Sequence, residues 1–219
     1  MNSRKTDFFW PSYTDLMTSL FFIMLVLFVL VFAKQSRQIK DLERQLAIVN
    51  AVDENLKPLK SDTELFTYEE EYKRFKLSFA VKFNRGKSNI DPTDLAAYFS
   101  TIGSIDKAGK KLKNIIDQLK SSKESDAKLK DVSYILVIAG YASKDKSDET
   151  YNYELSYKRA LSLRNYWRDN GIDFEAPEYN NLIDLQISGN GLGGLGRLQN
   201  ETDNQRFLIQ IFPKIGDIK

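Results

Sequence analysis

Residues 10–33 read WPSYTDLMTSLFFIMLVLFVLVFA and contain a single charged side chain, Asp15. After this carboxylate, only Thr18 and Ser19 interrupt the apolar run. About 20 apolar residues, each rising about 1.5 Å along a helix, cross the hydrocarbon core of a bilayer. The run is longer than the roughly 7–15 residues of a signal-peptide core, and basic residues follow it in place of a cleavage site. The stretch therefore predicts a transmembrane helix over residues 13–33.

The carboxylate of Asp15 is the unusual feature of this stretch. An ionised side chain at membrane depth costs on the order of 2.5–3.5 kcal/mol on insertion scales, so it marks a functional site by default. On a helix, Thr18 and Ser19 follow Asp15 by three and four residues and therefore share its face. These residues leave two interpretations open: a polar stripe that meets a partner or a water path, or an interfacial carboxylate that only caps the helix start.

The pattern W-x-S-Y-x-D-L-M-T is formed by Trp10, Ser12, Tyr13, Asp15, Leu16, Met17 and Thr18. It resembles the transmembrane signature of MotB-type stator subunits and of their ZorB relatives in the Zorya anti-phage systems. The resemblance implies that Asp15 carries the transported ion, that Thr18 favours a proton over sodium, and that no other cofactor is required. It also implies a MotA- or ZorA-like membrane partner, with five A subunits to two B subunits. The wording of the motif favours a Zorya-type or other non-flagellar motor.

The composition excludes several classes of function. The 32 basic and 30 acidic residues give a formal net charge of +2, which is no electrostatic basis for binding nucleic acid. The chain has no Cys and no His, which excludes disulfides, thiol chemistry and thiolate or imidazole metal sites. No set of residues suggests covalent or general acid–base catalysis. We therefore expect neither an enzyme nor a metal site.

Basic residues flank the apolar stretch on both sides, at Arg4 and Lys5 before it and at Lys34, Arg37, Lys40 and Arg44 after it. Their count mildly favours a cytoplasmic C-terminal side, but long domains translocate largely regardless of such charges. The stator resemblance implies the opposite orientation. We therefore expect a single-pass protein of the bacterial inner membrane, with residues 1–12 in the cytoplasm and the C-terminal domain in the periplasm.

Residues 34–57 predict a helix that Pro58 ends. Its apolar residues follow a heptad spacing that Asp53 interrupts, and they are Ile39, Leu42, Leu46, Val49 and Leu56. With the linker that follows, residues 34–67 are interpreted as the stalk of a parallel self-dimer, or as the plug-like helix that stator subunits carry outside the membrane. A solvated amphipathic linker is the alternative.

Residues 68–219 predict a soluble domain. Strands are expected at 75–83, 134–139, 182–187 and 207–212, and helices at 91–120 and 152–169. Asp91 and Pro92 are a favourable start for the first of these helices. The fold class is α/β, an α+β sandwich in which helices cover one mixed sheet.

The glycine-rich segment 189–196, GNGLGGLG, invites comparison with phosphate-binding loops. No Lys-Ser or Lys-Thr pair follows it, and it does not open a helix after a strand. Its glycines are therefore assigned to backbone turns, not to nucleotide binding.

Residues 152–167 form the pattern N-x-x-L-S-x-x-R-A-x-x-L-x-x-x-W. This pattern resembles the OmpA-like peptidoglycan-binding motif, whose closing N-x-R element is matched by residues 204–206. The resemblance implies that Asn152 and Arg159 belong to a wall-binding site, with Arg206 nearby as support. Arg159 would pair with a free carboxylate of the peptide stem, because a guanidinium holds a carboxylate through two hydrogen bonds.

One departure from this family concerns the segment where it usually has G-H-T-D, since this chain has Gly140, Tyr141, Ala142 and Ser143. The missing Asp normally binds the ammonium of diaminopimelate. Ser143 takes its place, and three alternatives stay open. Asp145 or Asp148 substitutes for it, the wall ligand differs, or Arg159 only makes a structural ion pair.

The two resemblances occur in the order that a stator B subunit requires. Together they imply a dimeric B subunit of an ion-driven rotary membrane motor, in which Asp15 carries protons and the C-terminal domain holds peptidoglycan. The alternatives are a passive OmpA-like wall tether of the inner membrane, a flagellar stator subunit, and a signalling or receptor subunit.

Overall fold

The computed structural model describes residues 9–126, 129–130, 132–144 and 148–215, and it divides into two units at Ala47 and Ile48. Helix α1 spans Phe9–Lys60. Within the described residues, its N-terminal part is the one stretch of helix that is long and apolar enough to cross a membrane. Its large apolar side chains are exposed, Phe28 at 70%. The predicted helix over 13–33 is present, whereas residues 1–8 lie outside the described part.

Among the described residues, the second unit contains five strands, two further α-helices and short 3-10 turns at Pro177–Tyr179 and Glu201–Asn204. The strands are β1 (Phe66–Glu69), β2 (Arg74–Leu77), β3 (Val132–Gly140), β4 (Ile183–Gly189) and β5 (Phe207–Ile215), and the helices are α2 (Tyr98–Ser125) and α3 (Glu149–Asp169). The strand order is β1-β2-β5-β3-β4. Only β3 and β4 are parallel, and the other neighbouring pairs are antiparallel. The predicted fold class, a mixed sheet with a helix layer, is confirmed.

The core lies between this sheet and its helices. Alternate residues of β3 are fully buried, at Tyr134, Leu136 and Ile138, because successive side chains of a strand point to opposite faces. They belong to one core cluster with the apolar stripes of α2 and α3, which include Leu112 and Trp167. Trp167 also donates its indole N–H to the carbonyl of Ile105, 2.9 Å away, which ties α3 to α2.

The first strands differ from the prediction. The expected strand at 75–83 ends at Leu77, and β1, which pairs with β2, was not predicted. The period-2 pattern continues as burial beyond Leu77, since Val81 and Phe83 are 2% and 7% exposed. Beyond β2, Phe83 pairs with Leu95 in an isolated bridge. The alternation of buried and exposed side chains therefore extends to Phe83, although the strand hydrogen bonds of β2 end at Leu77.

Helix α2 begins at Tyr98, not at Asp91. The Asp91 carboxylate accepts the backbone N–H of Thr93 and of Asp94, at 2.8 and 2.9 Å, and so closes a local turn. The next residues are held by the preceding chain, since Ala96 N–H donates to the carbonyl of Lys82. At its other end the helix continues to Ser125, beyond the predicted end at 120.

The last turns of α1 belong to the folded domain. Ile48, Val52, Leu56 and Leu59 are at most 7% exposed and are part of the core cluster. The second unit thus begins at Ile48, whereas we expected the domain to begin at residue 68. Pro58 lies inside the helix, which continues to Lys60. A proline removes one backbone donor, and here the helix ends within a turn of it.

The remaining heptad residues of the predicted stalk behave differently. Ile39, Leu42, Leu46 and Val49 are 47–64% exposed. Leu56, which the same spacing included, is buried in the core. The apolar spacing of residues 39–56 therefore covers two surfaces of the helix, one exposed and one used by the domain.

Candidate functional site

Asp15 lies on α1 with an exposed side chain, and it is the single charged residue between Phe9 and Ala33. The two hydroxyl groups beside it are bonded to their own helix. Thr18 Oγ1 donates to the carbonyl of Thr14 at 2.7 Å, and Ser19 Oγ donates to the carbonyl of Leu16 at 2.9 Å. With their hydrogens used in this way, the hydroxyls present oxygen lone pairs to their surroundings.

Arg159 lies on α3 and is only 3% exposed. Its Nε donates to the carbonyl of Lys87 at 3.1 Å. Its guanidinium carbon is 4.5 Å from the centroid of the Phe83 ring. The chain between β2 and α2 therefore covers the guanidinium, with a backbone oxygen on one side and an aromatic face on another.

The segment around Lys87 is held in place by a buried carboxylate. Asp94 is 3% exposed, and its Oδ2 accepts the backbone N–H of Asn89 at 2.9 Å and of Ser88 at 3.3 Å. Burial opposes the charge, but these donors and the nearby Lys87 ammonium hold the pKa of the Asp94 carboxyl below its usual value. Ile90 N–H donates to Ser162 Oγ of α3. Hydrogen bonds to Asp94 and to Ser162 therefore hold the segment 88–90, which follows Lys87.

Ser143 meets the same region through Gln205. The side-chain amide of Gln205 donates from Nε2 to Ser143 Oγ at 3.1 Å, and its Oε1 accepts the backbone N–H of Phe83, also at 3.1 Å. Ser143 and Gln205 are half-buried. The structure therefore brings together two predicted site residues, Ser143 and Arg159, through two that were not predicted, Gln205 and Phe83. The position of Gln205 inside the N-x-R element was the available indication.

Asn152 organises the start of α3. It is 1% exposed, and its Nδ2 donates to the carbonyl of Asp148 at 3.0 Å. Its Oδ1 is buried with no hydrogen-bond partner among the described residues. Of the proposed substitutes for the missing acid, Asp148 is exposed at the helix start. Asp145 lies outside the described residues.

Arg206 belongs to a separate, buried cluster with Glu69, Arg74 and Tyr141. Its Nη2 donates to the carbonyl of Gly196, its Nη1 lies 3.7 Å from Glu69 Oε1, and its guanidinium carbon is 5.3 Å from the Tyr141 ring centroid. Burial lowers the pKa of the Arg206 guanidinium, and the positive charge of Arg74 adds to that effect.

The glycine-rich segment 189–196 contacts this cluster through the backbone carbonyls of Leu195 and Gly196. Arg74 Nη2 donates to the carbonyl of Leu195 at 2.7 Å. Gly196 has a φ of +72°, and a Cβ there would lie 2.7 Å from Arg74 Nη2. A Cβ on Gly194 would lie 2.6 Å from Tyr141 Oη. Glycine is favoured at both positions because φ is positive, +90° at Gly194 and +72° at Gly196, and any Cβ would also displace the side chain beneath it.

No group of three or more acidic residues is placed to hold a metal ion in the part of the chain that the structure describes. The candidate ligand-binding groups are instead the guanidinium of Arg159, the hydroxyl of Ser143 and the side-chain amide of Gln205. Such an arrangement is suited to bind an anionic ligand by hydrogen bonds and charge.

Comparison with known proteins gives structural neighbours only. No family model matches the sequence, and no curated protein matches it. The chain is similar in fold to a MotB-like protein from Desulfovibrio vulgaris, with 12% identity and a TM-score of 0.48 over 80% of this chain and 99% of that one. It is also similar in fold to the periplasmic domain of Helicobacter pylori MotB, with 16% identity and a TM-score of 0.35 over 69% of this chain and 91% of that one. A third similar structure is the OmpA-like domain of FopA1 from Francisella tularensis, with 22% identity and a TM-score of 0.36 over 68% of this chain and 77% of that one. Identities below 25% and TM-scores below 0.5 leave the function to be argued from the residues of this chain.

Proposed function

We propose that this protein is the B subunit of an ion-driven rotary membrane motor that is anchored to peptidoglycan. The observation that carries the proposal is Asp15, a lone carboxylate on an apolar helix of membrane-spanning length. Such a group is costly in a membrane and is retained where it moves or binds an ion. Thr18 and Ser19, one turn further along, offer oxygen lone pairs and no free hydrogen-bond hydrogen.

In this proposal, Asp15 binds a proton from one side of the membrane and releases it to the other, at an interface with a MotA- or ZorA-like subunit. Two copies of the chain, paired in parallel along the helix, take turns inside a ring of five A subunits. Each proton then advances the ring relative to the dimer. The motif around Asp15 favours a non-flagellar motor of the Zorya anti-phage type.

The C-terminal domain supplies the fixed point against which torque acts. Its motif at residues 152–160 supports attachment to peptidoglycan in the periplasm, which makes the N-terminal segment cytoplasmic and the protein single-pass in the inner membrane. Because Arg159 is almost fully covered, we propose that a wall peptide first contacts the half-buried Ser143 and Gln205 and reaches Arg159 through them.

The test is proton flux in liposomes that contain this chain together with a MotA- or ZorA-like membrane subunit from the same organism. Any plug must first be removed, and the structure limits that deletion to residues 34–47, because Ile48 and Val52 belong to the domain core. Within this background, Asp15→Asn is compared with Asp15→Glu. Asp169→Asn, which alters an exposed carboxylate of α3, is the matched control.

We expect proton uptake in the deletion background, its loss in Asp15→Asn, partial retention in Asp15→Glu, and no change in Asp169→Asn. Assembly with the A subunit should survive in every variant, because each substitution replaces one polar side chain by another of similar size. If Asp15→Asn conducts as well as the parent, or if an assembled complex carries no flux, the motor proposal fails. The chain is then a passive wall tether.

A further inference from the structure

A groove opens beside Gln205. Strands β2 and β5 pair at only two positions, Phe75 with Ile209 and Lys76 with Leu208. Beyond them the chains that continue from the two strands border a groove of about 180 Å³. Gln205 lines this groove, and the same side chain donates a hydrogen bond to Ser143.

The charge of this groove is predominantly positive. Three cations, Lys76, Lys82 and Arg206, line it, and they face one carboxylate, Asp203. Asp203 already accepts a hydrogen bond from Asn200 Nδ2 at 3.0 Å. Apolar side chains such as Leu77 and Leu198 complete the walls, so the groove combines surplus positive charge with surface for an organic group.

Arg206 has N–H groups without a hydrogen-bond partner among the described residues. Its side chain is 8% exposed, and its Nε and Nη1 have no hydrogen-bond partner among the described residues. The neighbouring carboxylate, Glu69, is shared among three cations. Its Oε2 accepts from Arg74 Nε at 2.6 Å, and its Oε1 lies 3.7 Å from Arg206 Nη1 and 3.8 Å from Lys76 Nζ. One carboxylate cannot neutralise this set, and a second carboxylate would suit the surplus donors.

We propose that the groove between Lys76, Lys82 and Arg206 binds the free carboxylates of an acidic peptide that carries no neighbouring ammonium group. The inference rests on the proposed wall attachment and names the chemistry of its ligand. It accounts for Ser143 as well, because a ligand without an ammonium has no need of an acid at that position. Gln205, which contacts Ser143 and also walls the groove, joins the two parts into one extended peptide surface.

The test uses the full-length chain in detergent micelles and calorimetric titration at low salt. The probe is N-acetyl-L-alanyl-D-glutamate, which has two carboxylates and no ammonium. Its diamide, which has no charge, is the matched probe, and inorganic phosphate tests for a site that accepts any small anion. The variants are Lys76→Gln, at a half-buried position, and Lys82→Gln, at an exposed one, with Lys110→Gln on the exposed side of α2 as control.

We expect the dicarboxylate to bind, the diamide not to bind, and each groove variant to weaken binding about fivefold, since each removes one charge contact. Lys110→Gln should bind as the parent does. The proposal is overturned if the parent does not bind the dicarboxylate, if Lys76→Gln and Lys82→Gln bind it unchanged, or if phosphate binds more tightly than the peptide.

Co-sedimentation of the same proteins with purified peptidoglycan sacculi separates this proposal from the proposed function. Sacculus binding that Lys76→Gln and Lys82→Gln leave intact, without peptide binding, overturns the groove and keeps the wall attachment. Peptide binding without any sacculus binding keeps the groove and overturns the wall attachment.

Discussion

The guanidinium carbon of Arg159 lies 4.5 Å from the centroid of the Phe83 ring, while Nε of the same side chain donates to the carbonyl of Lys87. A cation on an aromatic face and a charged donor on a backbone oxygen both stabilise the folded chain. Arg159 therefore has a structural role in the domain whether or not a ligand reaches it.

Arg159→Ala is expected to lower the free energy of unfolding by about 2–4 kcal/mol, because it removes the Phe83 contact and the hydrogen bond to the Lys87 carbonyl and leaves a cavity beneath the segment. Lys158→Ala, one residue away and 61% exposed, should change it by less than about 0.5 kcal/mol. Urea unfolding of the detergent-solubilised chain measures both. In a Trp10→Phe background, the buried Trp167 reports on the domain alone.

The same variant discriminates between the two roles of Arg159. If Arg159→Ala unfolds like the parent but no longer sediments with sacculi, then Arg159 acts as a ligand-binding group and its structural role is minor. A loss of stability together with loss of sacculus binding at temperatures where the variant is still folded would assign both roles to it.

Two glycines of α2 are expected to respond to alanine in opposite directions. Gly103 has open space around a Cβ, so Gly103→Ala should stabilise the domain by about 0.5–1 kcal/mol through helix propensity. A Cβ on Gly109 would lie 2.5 Å from Trp167 Nε1 and 2.9 Å from Ile172 Cδ1. Gly109→Ala should therefore destabilise it by about 1–3 kcal/mol, as overpacked cores do. Equal effects in urea unfolding would contradict the close packing of α2 against α3.

The boundary of the folded domain can be tested on α1 itself. Leu59 is fully buried, so Leu59→Ala should cost about 2–5 kcal/mol of unfolding free energy through lost contacts and a cavity. Leu46 is 62% exposed, and Leu46→Ala should leave the domain unfolding transition unchanged to within about 0.5 kcal/mol. The pair shares one residue type and one helix. A similar effect of both substitutions would contradict a domain that begins at Ile48.

Acid stability should depend on Asp94. Its folded pKa lies below the ordinary value of 3.8, so the folded state binds fewer protons than the unfolded state. The stability that this carboxylate contributes is present above about pH 4 and is lost as the pH falls through the folded pKa. Asp94→Asn should therefore lower stability at pH 7 and flatten the decline of unfolding free energy between pH 4 and pH 2.

The matched control for this pH profile is Asp41→Asn, since Asp41 is exposed and lies outside the second unit. It should leave the acid limb of the profile unchanged. If Asp94→Asn keeps the full decline below pH 4, the carboxylate does not hold the segment over Arg159 in the way its hydrogen bonds to Ser88 and Asn89 indicate.

The sequence by itself determined the elements whose residue patterns are local. The apolar run around Asp15 predicted a membrane-length helix, the apolar run at 134–139 predicted a strand, and the pattern at 152–167 predicted a helix, because side-chain periodicity acts within one element. It also named Ser143 and Arg159 as candidate site residues, although through a resemblance and not through spacing.

Only the tertiary structure decided how distant segments share side chains. Ile48 and Leu59 look like stalk residues until the sheet that buries them is present, and Asp91 looks like a helix cap until the next residues pair with Lys82. Gln205 hydrogen-bonds to Ser143 and to the backbone of Phe83, which are both far from it in sequence. Arg206 contacts Glu69 and does not share a cluster with Arg159 in the described contacts. The physical reason is that contacts between elements outweigh local propensity. A segment adopts the conformation that buries its apolar side chains and pairs its backbone N–H and C=O groups with the rest of the domain.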